Sequence, residues 1–389
     1  MVFYSPLDFR SVVVPANINT KPNVTVRREN LETLGEDWSD LYVATKSDNP
    51  FLSWEWFLAW RRMAKSKHDT CILVARENGK LVGIAPLSLN NRRLSFFRDP
   101  LLANYTGLLI RPGYETARIA LVNHICRMPE WRTASLDSIR SVSGILPLLD
   151  AQFTEENLLW RRETICANPR IATTGKLSTY MKGRKKRLRQ EIRTTENNLA
   201  KGGGWRFREA SNIAEAIGIF DALVRFHTNR QSEKVGNPIF AKEATRRFFA
   251  DLIRSPAIAF EPHLSAIDFG GRIVSAVYSL RCGKSFYYWI PSFDSSIRSV
   301  SLGKLHLKCL IEVCFTDGTD WFDFMGGEEP YKFQWADESY ELCRYRIHRN
   351  RTAALFDLQR ERLLTSLKTL RSRSPALQAI WHRVSKLRG

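Results

Sequence analysis

The 389-residue chain contains no uninterrupted apolar run of about 18 residues or more, the length a membrane-crossing helix requires. Its first twenty residues also lack a basic start followed by an apolar block, so neither a span nor an export signal is expected and the expected location is the cytoplasm. The seven cysteines are odd in number and include no C-x-x-C pair, which argues against a disulfide framework and against a zinc site. They are expected as buried thiols of a reducing compartment, and no metal is expected. Acidic residues are scarce, with 40 Asp and Glu against 59 Lys and Arg, giving a net charge of +19.

A surplus of that size raises nucleic acid or an anionic membrane as partners, so its distribution decides more than its magnitude. Residues 182–193 hold seven Lys or Arg against one Glu, and residues 344–389 hold twelve against Asp357 and Glu361. The remainder of the chain is close to neutral. No motif that reads RNA or DNA accompanies either stretch, so no specific nucleic acid is expected as a partner. A solvated face is the default for the first stretch. In the second, Leu355, Leu358, Leu363, Leu364, Leu367 and Leu370 alternate with cations. That pattern suits packing, or peripheral contact with the anionic inner face of a membrane.

What is present is a globular composition, 44% hydrophobic and 11% aromatic, on a chain long enough for two cores. After a proline-bearing opening (Pro6, Pro15, Pro22), the spacing of Leu31, Leu34, Trp38, Leu41 and Tyr42 predicts a helix, and residues 54–63 predict a second, aromatic one. Residues 71–76 and 81–89 flank Asn78-Gly79, the strongest short hairpin signal. The second half repeats this order. A long polar helix over 177–200 and a short strand at 205–208 precede helices over 213–230 and 241–254. Strands at 264–269 and 273–281 then flank Gly270-Gly271, and a third strand runs over 285–290. Both halves read helix, helix, hairpin, as expected of a duplicated fold.

Three motifs in the second half carry chemistry. Phe286-Tyr287-Tyr288-Trp289-Ile290-Pro291 leads through Arg298, Val300, Ser301, Gly303 and Lys304 into an apolar helix. A strand that feeds a helix start aims backbone N–H groups and a positive dipole end at one spot, which suits a pyrophosphate or merely a helix cap. Phe226-His227 and Arg230 end an amphipathic helix, where His227 suits a general base, since histidine titrates near neutrality in general, or interacts with the last carbonyls. Asp323-Phe324-Met325-Gly326-Gly327-Glu328-Glu329-Pro330-Tyr331-Lys332-Phe333-Gln334-Trp335 turns off a short strand into an aromatic loop. Its two or three carboxylates, phenol and amine suit a polar acceptor, and equally a turn with a solvated lysine.

Taken in order, these pieces resemble the Gcn5-related N-acetyltransferase (GNAT) superfamily. The likeness is to its tandem branch, which includes the CelD-like proteins of bacterial cellulose and exopolysaccharide synthesis and is related to the FemAB aminoacyltransferases. Arg298-x-x-Ser301-x-Gly303 matches the family's pyrophosphate loop with Ser301 for its first glycine. Asp323, Phe324, Gly327, Glu329, Tyr331 and Lys332 match the branch's aromatic loop, with Gly326 and Gln334 where it often has arginine. Gln231 stands where the branch has tryptophan, and Asn49-Pro50-Phe51-Leu52-Ser53-Trp54 resembles its opening.

The resemblance implies an α/β tandem fold with mixed, mostly antiparallel sheets flanked by helices. It implies an arm over 1–23, a degenerate GNAT-like domain over 24–170, an acyl-CoA-binding one over 171–350, and a basic helical tail over 351–389. It implies transfer from acyl-CoA, acetyl-CoA above others, to an amine on a small molecule or glycan. Tyr288, Ile290, Arg298, Val300, Ser301, Gly303 and Lys304 would hold the cofactor. His227, Glu329 or Asp323 would handle the proton, and Arg230, Glu328, Tyr331 and Lys332 the acceptor. A FemAB-type transferase using aminoacyl-tRNA, and a non-catalytic scaffold, are the alternatives.

Overall fold

The computed structural model describes residues 24–63, 70–97, 103–232, 239–255, 257–297 and 300–359, with Leu363 and Ser366 beyond them. The arm over 1–23, Arg298, the side chain of Arg230 and most of the tail lie outside the described residues.

The first half comprises β1 (Val24–Glu29), α1 (Gly35–Thr45), α2 (Trp54–Met63), β2 (Thr70–Glu77), β3 (Lys80–Asn90), β4 (Arg93–Phe96), β5 (Leu109–Ile110), α3 (Glu115–Arg127), β6 (Thr133–Arg140), α4 (Leu146–Glu155) and β7 (Leu159–Ala172). The second comprises α5 (Leu177–Lys182), α6 (Lys186–Lys201), β8 (Trp205–Glu209), α7 (Ile213–Ser232), α8 (Glu243–Arg254), β9 (Glu261–Phe269), β10 (Arg272–Cys282), β11 (Ser285–Phe293), α9 (Leu302–Thr316), β12 (Trp321–Asp323) and β13 (Glu338–His348). The hairpins turn where the sequence predicts: Asn78 and Gly79 have φ of 50° and 82°, and Gly270 and Gly271 have 56° and 74°. Two positive φ values give the primed turn whose twist matches paired strands. The predicted long polar helix is instead broken into α5 and α6, because Lys185 takes an extended backbone (φ −54°, ψ 137°) after the Gly183 cap.

All these strands form one 13-stranded sheet, ordered β1-β2-β3-β4-β6-β13-β7-β12-β11-β10-β9-β8 with β5 beside β3. Its centre is a reciprocal exchange. In the first half β4 pairs parallel with β6, and β6 then pairs antiparallel with β13, the last strand of the second half. In the second half β11 pairs parallel with β12, and β12 pairs antiparallel with β7, the last strand of the first. β7 and β13 pair with each other over eleven residue pairs, from Glu338↔Arg170 to His348↔Leu159. The expected duplication is therefore present, and its two halves are joined by continuous backbone hydrogen bonding rather than by a linker.

Helices cover both faces. α8 buries Phe248, Phe249, Leu252 and Ile253, one stripe at helical spacing. That stripe joins Phe51, Trp56 and Phe57 of the first half and Tyr278 and Ile290 of the second in a single core. Separate cores lie under α3 and α4 and under α6 and α9.

Candidate functional site

The site begins where two parallel strands part. Ser285, Phe286 and Tyr287 of β11 pair with Trp321, Phe322 and Asp323, where β12 ends, while β11 runs on to Phe293. On its other side Tyr278 and Ser279 of β10 face Ile290 and Tyr288, which leaves Trp289 as the extra residue of a β-bulge. Trp289 packs between the halves, its ring 4.9 Å from Phe249, 5.4 Å from Trp56 and 5.9 Å from Phe51. Tyr288 points to the opposite face, 5.8 Å from Phe322 and 6.0 Å from Phe324.

Beyond β11 the chain enters α9. Helix α9 begins with N–H groups that have no partner one turn earlier, and their dipole end favours an anion. A groove of about 380 Å³ lies beside this end, lined by Arg187, Gln190, Glu191, Thr194 and Thr195 of α6 and by Val300 and Ser301. Gly303 faces the Phe293 ring, where a Cβ would approach to 3.3 Å. Helix α6 already engages part of the donor set. The Ser301 N–H donates to Thr195 Oγ1 at 3.0 Å, and the Lys304 ammonium is ion-paired with Glu191. Glu191 also takes Arg187 at 2.9 Å, and hydrogen bonds from both cations hold its carboxyl below the usual range.

Asp323 is buried between the halves. Tyr105 donates to it at 2.8 Å, Tyr340 at 2.7 Å and the Met325 N–H at 2.6 Å, while Asn168 donates to both phenols at 2.9 and 3.2 Å. Burial pushes the Asp323 carboxyl above the usual range, against the downward pull of those hydrogen bonds and of Arg140. Arg140 lies 5.3 Å from the Tyr105 ring centre and binds both oxygens of Asp48 at 2.5 and 3.0 Å. The Tyr287 hydroxyl donates to the Asp48 carbonyl. Asp323 is thus enclosed by protein donors, and any part it takes in chemistry passes through Tyr105 or Tyr340. Met325 holds φ at 59°, an uncommon value for a residue with a side chain, where its N–H meets Asp323.

The loop beyond is fixed by Lys332. This side chain is buried, donates to the Gly326 carbonyl at 3.0 Å and pairs with Glu329 at 2.9 Å, so it clamps the loop and is not the solvated charge it resembles in sequence. Gly327 sits at φ 124°, and a Cβ there would meet the Glu329 carboxylate at 2.3 Å. Glu328 accepts from the Ala167 N–H at 3.4 Å, and Tyr331 packs against the core under α9. Arg184 of the basic stretch donates to the Trp335 and Ala336 carbonyls at 2.6 and 3.0 Å and to Asp337 at 2.6 Å.

His227 sits among aromatic rings. Its ring lies edge-on to Phe240 at 5.1 Å, Phe240 lies 5.3 Å from Phe249, and Phe249 lies 4.9 Å from Trp289. Two phenyl rings therefore connect His227 to the bulge. Of the expected cofactor residues, Tyr288 and Ile290 lie on β11 but pack into different cores, while Val300, Ser301, Gly303 and Lys304 lie at the α9 start; Arg298 and the Arg230 side chain lie outside the described residues. Sequence reasoning missed Tyr105, Asn168, Tyr340, Asp48 and Arg140, which are scattered along the chain, and also Thr195 and Glu191. Glu191 left one signal, as the single acid in the basic run over 182–193.

An Acetyltransferase (GNAT) domain family model matches residues 186–333, from the start of α6 through the Lys332 clamp. That region is similar to a GNAT domain. Its match leaves out β7 and β13, the exchanged strands at the centre of the sheet. No curated protein matches the chain. Among solved structures, FemX is similar with a TM-score of 0.56 at 10% identity, over 86% of this chain and 99% of that one. The C-terminal domain of a protein described as a lysylphosphatidylglycerol synthetase of Agrobacterium fabrum is similar with a TM-score of 0.54 at 11% identity, over 86% of this chain and 97% of that one. A protein of unknown function from Bacteroides thetaiotaomicron gives 0.54 at 11%, over 84% and 100%. At such identities the likeness shows the fold, and it extends over both halves and not the matched segment alone.

Proposed function

We propose that the chain is an acyl-CoA-dependent N-acyltransferase, acetyl-CoA being the foremost donor, whose acceptor is an amine on a sugar used in polysaccharide or cell-envelope synthesis. One observation carries this reading: within the matched segment, β11 parts from β12 at a bulge and leads directly into the grooved start of α9.

The donor set there fits a CoA pyrophosphate, combining the first N–H groups of α9, the Thr194 and Ser301 hydroxyls, Arg187 and Lys304. Bound acyl-CoA supplies the thioester whose acyl group passes to the amine. The protein's share is to hold the chain along Tyr288 to Ile290, to exclude water with the Phe51, Trp56 and Trp289 rings, and to receive a proton from the attacking ammonium. His227 and Glu329 are the candidates for that proton. Tyr331 and Glu328 border the acceptor side, and Lys332 and Asp323 position the loop from beneath. Incubating the protein with isotopically labelled acetyl-CoA and cell metabolites tests the reading. A labelled amide on an amino sugar supports it, and absence of label transfer to any amine opposes it.

A second reading, an aminoacyl transferase of the FemAB kind, is favoured by one feature: Thr195 and Glu191 already engage the Ser301 N–H and Lys304, as a domain whose donor places no pyrophosphate there would allow. Salt-sensitive binding of tRNA without CoA binding would support it.

A further inference from the structure

After β13 the chain turns into a helix over residues 351–359, capped by Asn350, whose side chain accepts from the Ala353 N–H at 2.8 Å. One side of this helix is docked. Asp357 is 6% exposed and ion-paired with Arg93 of β4. Successive helical residues are about 100° apart, so Leu355 and Phe356 project away from the docked side that carries Asp357, and Leu363 is a further exposed leucine. These three are 60%, 70% and 61% exposed.

The strand ends next to this helix are cationic. The Arg132 N–H donates to the Arg92 carbonyl at 2.8 Å and the Arg349 N–H to the Arg132 carbonyl at 3.1 Å, which gathers three arginines on adjoining backbone. Arg92 and Arg132 are exposed, as is Arg351 in the first helical turn, and Glu130 is an exposed acid at the same end of the strands. The sequence adds to this balance, with twelve Lys or Arg against two acids over 344–389. No described helix is long and apolar enough to cross a membrane. An apolar arc flanked by cations suits a helix lying in a bilayer interface, where apolar burial and attraction to acidic headgroups act together.

We propose that this face, made of Leu355, Phe356, Leu363 and the Arg92, Arg132 and Arg351 rim, rests on an anionic lipid bilayer. The contact would hold the protein at a membrane surface whatever reaction it performs. A second copy of the chain is the competing occupant of the same face.

The test uses the full chain and co-sedimentation with vesicles of phosphatidylcholine, alone or with about 30% phosphatidylglycerol. Binding is expected only with the acidic lipid and should weaken as salt is raised. Leu355→Ser/Phe356→Ser/Leu363→Ser and, separately, Arg92→Glu/Arg132→Glu should each weaken it about tenfold or more, with circular dichroism and melting temperature unchanged. No binding, equal binding to neutral vesicles, or binding that neither variant alters overturns the proposal. So does a solution dimer that the triple variant converts to monomer without any vesicle binding, since that assigns the face to a second copy.

Discussion

Tyr105, from the first half of the chain, donates a 2.8 Å hydrogen bond to Asp323, from the second, across 218 positions of sequence. Tyr340 and the Met325 N–H complete the shell around the same carboxylate. Replacing Asp323 with alanine would leave these three buried donors without an acceptor, at a cost of about 3 kcal/mol or more. Urea unfolding of Asp323→Ala should show that loss. A midpoint equal to that of the native chain would contradict the assignment of Asp323 to the join between the halves.

If acyl-CoA binds at the α9 start as proposed, Glu191 is the acid that would compete with its phosphates there. Removing its charge frees Lys304 and Arg187 for an anion, so Glu191→Gln should tighten CoA binding about tenfold, equivalent to about 1.4 kcal/mol. Calorimetric titration of both proteins measures it. Weaker binding by Glu191→Gln would mean that Glu191 supports the ligand rather than opposing it.

His306 is enclosed by two serines. Its ring nitrogens meet Ser265 and Ser275 hydroxyls, each at 2.8 Å, and burial lowers its pKa from 6.5 to about 3. The folded protein thus keeps the ring neutral while the unfolded chain takes up a proton below pH 6.5. Stability from this group is full above 6.5 and declines as pH falls toward 3, by at most about 1.4 kcal/mol per pH unit. Denaturation curves across that window should show the decline, and His306→Gln should flatten it. Equal slopes in the two proteins would exclude His306 as its source.

Two groups compete for the role of base. Whichever of His227 and Glu329 accepts the proton, its replacement (His227→Ala or Glu329→Gln) should lower kcat about a hundredfold or more with little change in KM. The other variant should act mainly on KM or on stability. Glu329→Gln also removes the counter-ion of the buried Lys332, so its melting temperature must be measured beside its rate. Undiminished kcat in both would leave neither as the base.

Local signals in the sequence were readable where one residue type does one job. Asn78-Gly79 and Gly270-Gly271 turn hairpins because both residues of each pair accept positive φ, and the stripe on α8 shows as helical spacing. β1, α4, β7 and β13 escaped that reading, as did the break at Lys185. β7 has mixed burial along its length, and β13 alternates only on either side of a bulge at Leu342-Cys343; both pair over long separations, so no nearby turn marks them. The aromatic loop was legible as a motif but not in its internal roles. Lys332 reads as a surface charge until Gly326 and Glu329 are seen around it, and Asp323 reads as reactive until Tyr105 and Tyr340 enclose it.

The central claim, that the groove at the α9 start receives acyl-CoA, is tested most directly by calorimetric titration of the full chain with acetyl-CoA and a longer acyl-CoA. The account predicts saturable binding at one site per chain, reduced about tenfold or more by Gly303→Val, whose side chain would press on the Phe293 ring. Absence of binding to either acyl-CoA, in both the native chain and Glu191→Gln, would contradict it.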